Sequence, residues 1–233
     1  MKLNRILYGV FILVLAALPL TVSAKGVEHE LSKEMQKKVD SLPDNVTRID
    51  YLKEQAQAHP KDPGIHFSLG NLYLDEGKSD EAIEEYKKAT ALDDSFLGAW
   101  VNLGNAYDDL DQLDNAQQTY VKALKLDPTD EKTLCNLGGV YFKKRQINSA
   151  LDCFEKSLKN HPKSQLTRYN MAILFADSEI YREAKREWEK AVAIDPNSDL
   201  GKRSADNIKI IDDLMNSGTP KLPKAEESKS SKG

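Results

Sequence analysis

The sequence predicts an all-α chain, a solenoid of stacked helix pairs, on three observations. The chain matches itself at an offset of 34 residues: "HFSLGNLY", "WVNLGNAY", "LCNLGGVY" and "RYNMAILF" begin at His66, Trp100, Leu134 and Arg168. Each block is followed at fixed distance by "AIEEYKKA", "AQQTYVKA", "ALDCFEKS" or "AKREWEKA", beginning at Ala82, Ala116, Ala150 and Ala184. Within each pair of blocks the apolar and small residues recur at helical spacing, as Leu103, Gly104 and Tyr107 do on one helix and Ala116, Tyr120 and Ala123 on the next. A period of this length marks an architecture in which each unit buries its apolar face only against its neighbours.

Each element follows from that pattern. Helices packed about 8 to 10 Å apart need small side chains where they approach most closely. Gly104 and Ala116 are expected there, with Tyr107 and Tyr120 filling the space on either side. Replacing Gly104 by Leu is then expected to overpack the contact, at about 1 to 3 kcal/mol. Pro128 is expected to end the second helix, because proline has no N–H to give. After Pro196, "NSDLGKRSADNIKIIDDLM" sets Leu200, Ile208, Ile211 and Met215 on one side of a helix. Lys202, Arg203, Asp206, Lys209 and Asp213 fall on the other, as in a capping helix with a solvated outer face. At the other end, residues 29–60 are close to one period long, but Gln36 and Arg48 stand where Gly and Ala belong. The amphipathic set Val46, Ile49, Leu52 and Ala56 makes this stretch a degenerate repeat or an N-terminal helical cap.

The first residues carry a different signal. Lys2 and Arg5 precede an apolar run from Ile6 to Leu18, and Val22-Ser23-Ala24 places small residues where a signal peptidase inspects them. This reads as a secretory signal peptide cleaved before Lys25. The rival reading is an uncleaved inner-membrane anchor, which needs about 17 to 25 apolar residues and reaches that only by including Pro19 and Thr21. A lipid anchor of the bacterial lipoprotein type needs a Cys where Lys25 stands. Past Met215, "NSGTPKLPKAEESKSSKG" is rich in Ser, Lys and Pro and is read as a disordered tail.

The expected organisation is thus a signal peptide over 1–24 and a degenerate unit or cap over 25–61. Four repeats follow over 62–196 (about 62–95, 96–129, 130–163 and 164–197), then a capping helix over 198–216 and a tail over 217–233. The chain carries a net charge of −4, and losing residues 1–24 would remove two basic residues and no acidic one. An acidic chain without clustered Lys and Arg is a poor partner for nucleic acid.

The 34-residue unit resembles the tetratricopeptide repeat (TPR) family, with its W-x-x-L-G-x-x-Y, then A-x-x-x-F-x-x-A, then P. Among the signature positions over Asp62 to Pro196, His66, Arg168 and Asp94 depart, and Ser157 replaces an alanine by another small residue. The resemblance implies a right-handed α-solenoid whose first helices line a concave groove. Carried over position by position, it puts Phe67, Asn71, Leu74 and Asp75 in that groove from the first repeat, and Val101, Asn105, Asp108 and Asp109 from the second. The third supplies Lys132, Cys135, Phe142 and Lys143, and the fourth Leu166, Tyr169, Ile173 and Asp177. Phe67, Phe142, Tyr169 and Ile173 are larger and more apolar than an idle solvated face needs, and are expected to form a channel for an extended or helical peptide. Gly139 beside Gly138 is expected to let a ligand backbone come close. Co-chaperones of the family clamp a C-terminal carboxylate with Lys, Asn, Asn, Lys and Arg. Here Asn71, Asn105 and Lys132 match, but Phe67 and Asn136 replace a Lys and the Arg, so a chaperone-tail receptor is not expected.

Cys135 and Cys153 lie one on each helix of the third pair, and a disulfide between them is sterically conceivable. An oxidising compartment would favour it, and closing the loop would add about 3 kcal/mol. The alternative is that each is a small apolar filler. His59 and His161 precede prolines at helix ends, where a C-cap role is expected. No His or Cys pair has zinc-like spacing, and neither a phosphate-cradling Gly loop nor a G-x-S-x-G or H-E-x-x-H motif occurs. The sequence therefore predicts no enzyme, no cofactor and no metal site.

The function expected is that of an exported, periplasmic scaffold or adaptor: it would hold a peptide segment of an envelope protein in its groove during assembly of a periplasmic or membrane complex. A self-assembling homo-oligomer and a non-catalytic subunit of an envelope enzyme stay open as alternatives, as does association with the envelope membrane. Asn45-Val46-Thr47 would accept an N-glycan if the source were eukaryotic.

Overall fold

The computed structural model describes residues 29–216, and among them every regular element is a helix. The expected signal peptide and the expected tail lie outside the described residues. The elements are α1 (Lys33–Asp40), α2 (Asn45–Ala58), α3 (Pro63–Asp75), α4 (Ser79–Leu92), α5 (Leu97–Asp109), α6 (Leu113–Leu126), α7 (Glu131–Lys143), α8 (Ile147–Asn160), α9 (Gln165–Asp177), α10 (Tyr181–Ile194) and α11 (Asp199–Asn216). Each helix packs on the next, giving a right-handed solenoid of helix pairs closed by α11. The first helices of successive pairs also touch one another, α5 with α7, α7 with α9 and α9 with α11. The second helices make no comparable contact, so the first helices form the inner side of the curve.

The close approach within each pair is set differently from the sequence expectation. A Cβ on Gly104 would lie 2.5 Å from the ring of Tyr120, and the same holds for Gly70 with Tyr86 and Gly138 with Phe154. The glycine therefore makes room for the buried aromatic ring of the second helix rather than for its backbone. Tyr86, Tyr120, Phe154 and Trp188 are all fully buried, and they form the spine of the core.

The departures from the repeat pattern are compensated locally. His66 and Arg168 stand where Trp100 stands in the second unit, and each faces a glutamate on the paired helix. His66 Nδ1 lies 2.7 Å from Glu85 Oε2, and Arg168 Nη1 donates to Glu187 Oε2 at 2.9 Å. Asp94 replaces proline after α4, yet α4 ends in the same register as α6 and α10. Asp93 Oδ1 accepts from the Ser95 N–H at 2.9 Å, just as Asp127 and Asp195 accept from Thr129 and Asn197 at 2.8 and 2.9 Å. A side-chain turn thus stops the helix with or without proline.

A further repeat was not anticipated from the sequence. Gly77, Asp111, Arg145 and Glu179, one period apart, all have positive φ. In the turn after α3, the Lys78 N–H donates to Tyr73 O at 2.8 Å. The bonds Gln112 to Tyr107, Arg145's neighbour Gln146 to Tyr141, and Ile180 to Phe175 repeat it at 2.9, 2.8 and 2.8 Å. This is a Schellman-type closure of each first helix, and only the first unit places glycine there.

The ends differ in detail from expectation. In α2, Ile49 and Leu52 are buried but Val46 is exposed, because it sits in the first turn just past the Asp44 N-cap. In α11, Ile211 is buried with Leu200, Ile208 and Leu214 packed around it, while Met215 is exposed near the helix end. His59 and His161 occupy the C-caps of α2 and α8, and His161 Nε2 lies 2.8 Å from Thr129 O. No helix among the described residues is long and apolar enough to cross a membrane.

Candidate functional site

The inner face is built by α3, α5, α7 and α9, and the structure divides the expected groove residues into two classes. Val101, Phe142, Tyr169 and Ile173 are buried, between 0 and 7% exposed. They seal the seams between neighbouring first helices, with Phe142, Tyr169 and Ile173 in one core cluster. The expected apolar channel over Phe142, Tyr169 and Ile173 is therefore corrected: large side chains at these positions cement repeat to repeat. Phe67 is also engaged, its ring 4.7 Å from that of Phe96 and 6.0 Å from that of Tyr86. Gly139 is buried as well, within α7.

The second class stays at the surface and is polar. Asn71 and Asn105 lie one period apart, half-buried on α3 and α5. Tyr86 OH donates to Asn71 Oδ1 at 2.7 Å, and the same oxygen accepts from Asn102 Nδ2 on the next first helix at 2.9 Å. One unit on, Tyr120 OH and Asn136 Nδ2 donate to Asn105 Oδ1 at 2.7 and 2.8 Å. With both lone-pair directions of Oδ1 used, each carboxamide is locked in one orientation, its Nδ2 directed away from this network. In the third unit the acceptor and the hydroxyl vanish together, since Gly139 and Phe154 occupy the equivalent positions.

Acid gathers at the C-terminal ends of α3 and α5. Asp75 and Asp109 are exposed, and Asp108 is buried against Lys143, whose Nζ donates to its Oδ1 at 2.7 Å. Burial raises the carboxyl pKa of Asp108 above the ordinary aspartate value, and Lys143 only partly offsets it. Asp109 is also raised, by partial desolvation first and by the adjacent Asp108 second. The Lys143 charge, bonded to Asp108, opposes this by a smaller amount. Lys143 and Asp108 satisfy each other, so neither is open to a ligand as expected. Asp177 is likewise paired, accepting from Arg145 Nη1 at 2.7 Å. Leu74, Lys132 and Leu166 are half-buried, Leu74 packed against the core of the first units and Leu166 against that of the last.

The structure chooses between the two open readings of Cys135 and Cys153, a disulfide or two small fillers. Both cysteines are free. The residue of α7 opposite Cys153 is Leu134, in the register that pairs His66 with Glu85 and Arg168 with Glu187. Cys135 points instead to the next repeat, with its Sγ 3.1 Å from Thr167 Oγ1. Thr167 in turn contacts Ser157 and Ser164 hydroxyls, each at 2.7 Å, closing a small buried network. Burial pushes the Cys135 thiol up to about 12 and the Cys153 thiol up to about 11. Among the described residues, no group of three or more His, Cys, Asp or Glu could hold a metal ion.

Comparison with known proteins agrees with this geometry. Three family models match: a TPR repeat over residues 70–111, and the tetratricopeptide repeat over residues 98–130 and 131–164. No curated protein matches the sequence. Among solved structures, that of MamA is similar over 77% of this chain and 99% of its own, at 22% identity and a TM-score of 0.62. A tetratricopeptide repeat protein from Parabacteroides merdae is similar over 77% of this chain and 72% of its own, at 21% identity and 0.68. YrrB, a TPR protein with an unusual peptide-binding site, is similar over 69% of this chain and 91% of its own, at 19% identity and 0.54. At these identities the likeness is one of fold, and none of the matches indicates an enzyme family.

Proposed function

Because residues 70–164 are tetratricopeptide repeats, a scaffold fold that serves protein–protein interaction, we propose that this protein is an exported, non-catalytic adaptor. It holds an extended segment of an envelope protein in the groove of its first helices. The observation that carries the reading is the pair Asn71 and Asn105. Two carboxamides one repeat apart are fixed by buried tyrosines with their N–H₂ groups left over. Such donors suit the carbonyls of a peptide backbone, whose groups must be paired when they leave water. Asp75 and Asp109 beside them favour a segment bearing Lys or Arg at that end. The fold of YrrB, with its own peptide-binding site, is compatible with this use. Export rests on Lys2, Arg5, the apolar run that follows and Val22-Ser23-Ala24.

The test is affinity capture from envelope extract with residues 25–233, beside an Asp75→Lys, Asp109→Lys double variant verified as folded by circular dichroism. Both positions are exposed, so the variant keeps the core. A protein retained by the first and lost by the second supports the groove. Equal retention by both overturns it. N-terminal sequencing of the exported protein tests the cleavage site, and a chain beginning at Met1 contradicts it.

A further inference from the structure

Charge is divided unevenly along the array. Residues 29–128 hold 20 Asp and Glu against 11 Lys and Arg, whereas residues 129–216 hold 14 against 15. On the inner face the division falls at single positions. Asp75 and Asp109 end α3 and α5 and are exposed, whereas further along the same row Lys143 bonds to Asp108 and Asp177 accepts from Arg145. The negative ends of the α3 and α5 dipoles add to the field of the two exposed carboxylates. The chain also carries a segment of complementary chemistry. Pro220-Lys221-Leu222-Pro223-Lys224 repeats Pro-Lys at an interval of three residues, which is the period of the polyproline II helix, about 9 Å per turn. The Asn71–Asn102 bond joins α3 to α5, and helices in contact lie about 8 to 10 Å apart, so lysines at that interval match Asp75 and Asp109 one repeat apart. A segment in that conformation keeps its carbonyls free of internal hydrogen bonds, and proline has no N–H to leave unpaired in the groove. Asn71 and Asn105, also one repeat apart, present the N–H₂ donors that such carbonyls accept from.

We infer that the inner face of α3 and α5 is a docking surface for residues 220–224 of a second copy of this chain. The inference rests on the groove being the binding site proposed above, and it names an occupant. Length decides that the occupant comes from a second copy. Gln165 at the start of α9 bonds to Ala191 near the end of α10, and Lys185 near the start of α10 bonds to Asp212 near the end of α11. The helix α11 therefore runs parallel to the first helices, and residue 216 lies at the edge of the array where Asp75 and Asp109 lie. From α11 to α5 is three helix spacings, about 24 to 30 Å, and the five residues 217–221 span at most about 18 Å. Lys221 falls short of Asp109 in its own chain, and Lys224 falls short of Asp75 for the same reason. Lys229 and Lys232 lie further along, but Glu226 and Glu227 beside them oppose an acidic surface. The contact joins two different surfaces, so copies associate head to tail. The docked segment takes the place of the envelope-protein segment, and the two compete.

Sedimentation velocity of residues 25–233 across a concentration series is expected to show association that grows with concentration and weakens with salt. Lys221→Glu with Lys224→Glu, and separately Asp75→Lys with Asp109→Lys, are each expected to weaken it about tenfold. Combining all four substitutions in one chain is expected to restore it, which damage to the fold could not do. Carbodiimide crosslinking of mixed unlabelled and isotope-labelled chains is the companion measurement. It is expected to join Lys221 or Lys224 to Asp75 or Asp109 in peptide pairs of mixed label. A monomer at every concentration, association unmoved by either charge reversal, or crosslinks confined to pairs of one label would overturn the proposal, the last because the segment would then dock in its own chain. A monomer that still captures an envelope protein overturns this inference alone. Self-association without such capture supports it and overturns the envelope reading.

Discussion

Asp109 is the residue at which stability and function pull apart. Its carboxyl pKa is raised in the folded chain by desolvation and by Asp108, so the folded state holds its proton to higher pH than the unfolded state does. Stability contributed at this position is therefore greatest below the unfolded value and is lost as pH rises through the folded one. Asp109→Asn keeps the shape and removes the charge. It is expected to raise the melting temperature at pH 7, with the gain shrinking towards pH 4, as thermal melts across that range would show. A gain independent of pH would mean that the charge is not the cause. The cysteines make a second residue-scale case. Thiol titration of denatured, unreduced protein is expected to find two free thiols, and in native protein Cys135 is expected to stay unreactive because burial holds it protonated. The sequence placed the two cysteines on facing helices but left their directions open. A one-residue difference in register, Leu134 rather than Cys135 opposite Cys153, decides the matter.

Among the elements, the helix pair was the most legible feature of the sequence, because its small and aromatic positions recur four times at one offset. What periodicity could not convey is which atom occupies the space a glycine leaves. The ring of Tyr120 fills the place of a Gly104 Cβ, which makes a sharper prediction than backbone contact does. Gly104→Ala gains about 1 kcal/mol of helix propensity, yet it is expected to lose about 1 to 3 kcal/mol net, because a rigid buried ring must shift. Urea denaturation measures the balance, and a variant as stable as the parent would reject the ring contact. The left-handed turns at Asp111, Arg145 and Glu179 were hidden for a related reason. Only Gly77 advertises the conformation, and at the other three positions the backbone bonds of the closure impose it on ordinary residues.

For the whole molecule, the groove was only partly legible. The positions carried over from the resemblance lie on or beside the first helices, but they do not say which large apolar residues are consumed in joining one repeat to the next. Phe142, Tyr169 and Ile173 are consumed in this way, and the surface that remains is polar: two oriented asparagines with an acidic end. The signal for this lay in the sequence as a covariation within the chain, Asn71 with Tyr86 and Asn105 with Tyr120, against Gly139 with Phe154. It becomes readable once the hydrogen bonds show why the two positions change together.

Site-specific photocrosslinking in the native cell tests the central claim most directly, with the crosslinking residue placed in the full chain at Asp109 on the inner face or at Val121 on the exposed side of α6. The account predicts a discrete protein adduct from position 109 and none from position 121. An adduct from position 121 with none from 109 would contradict it.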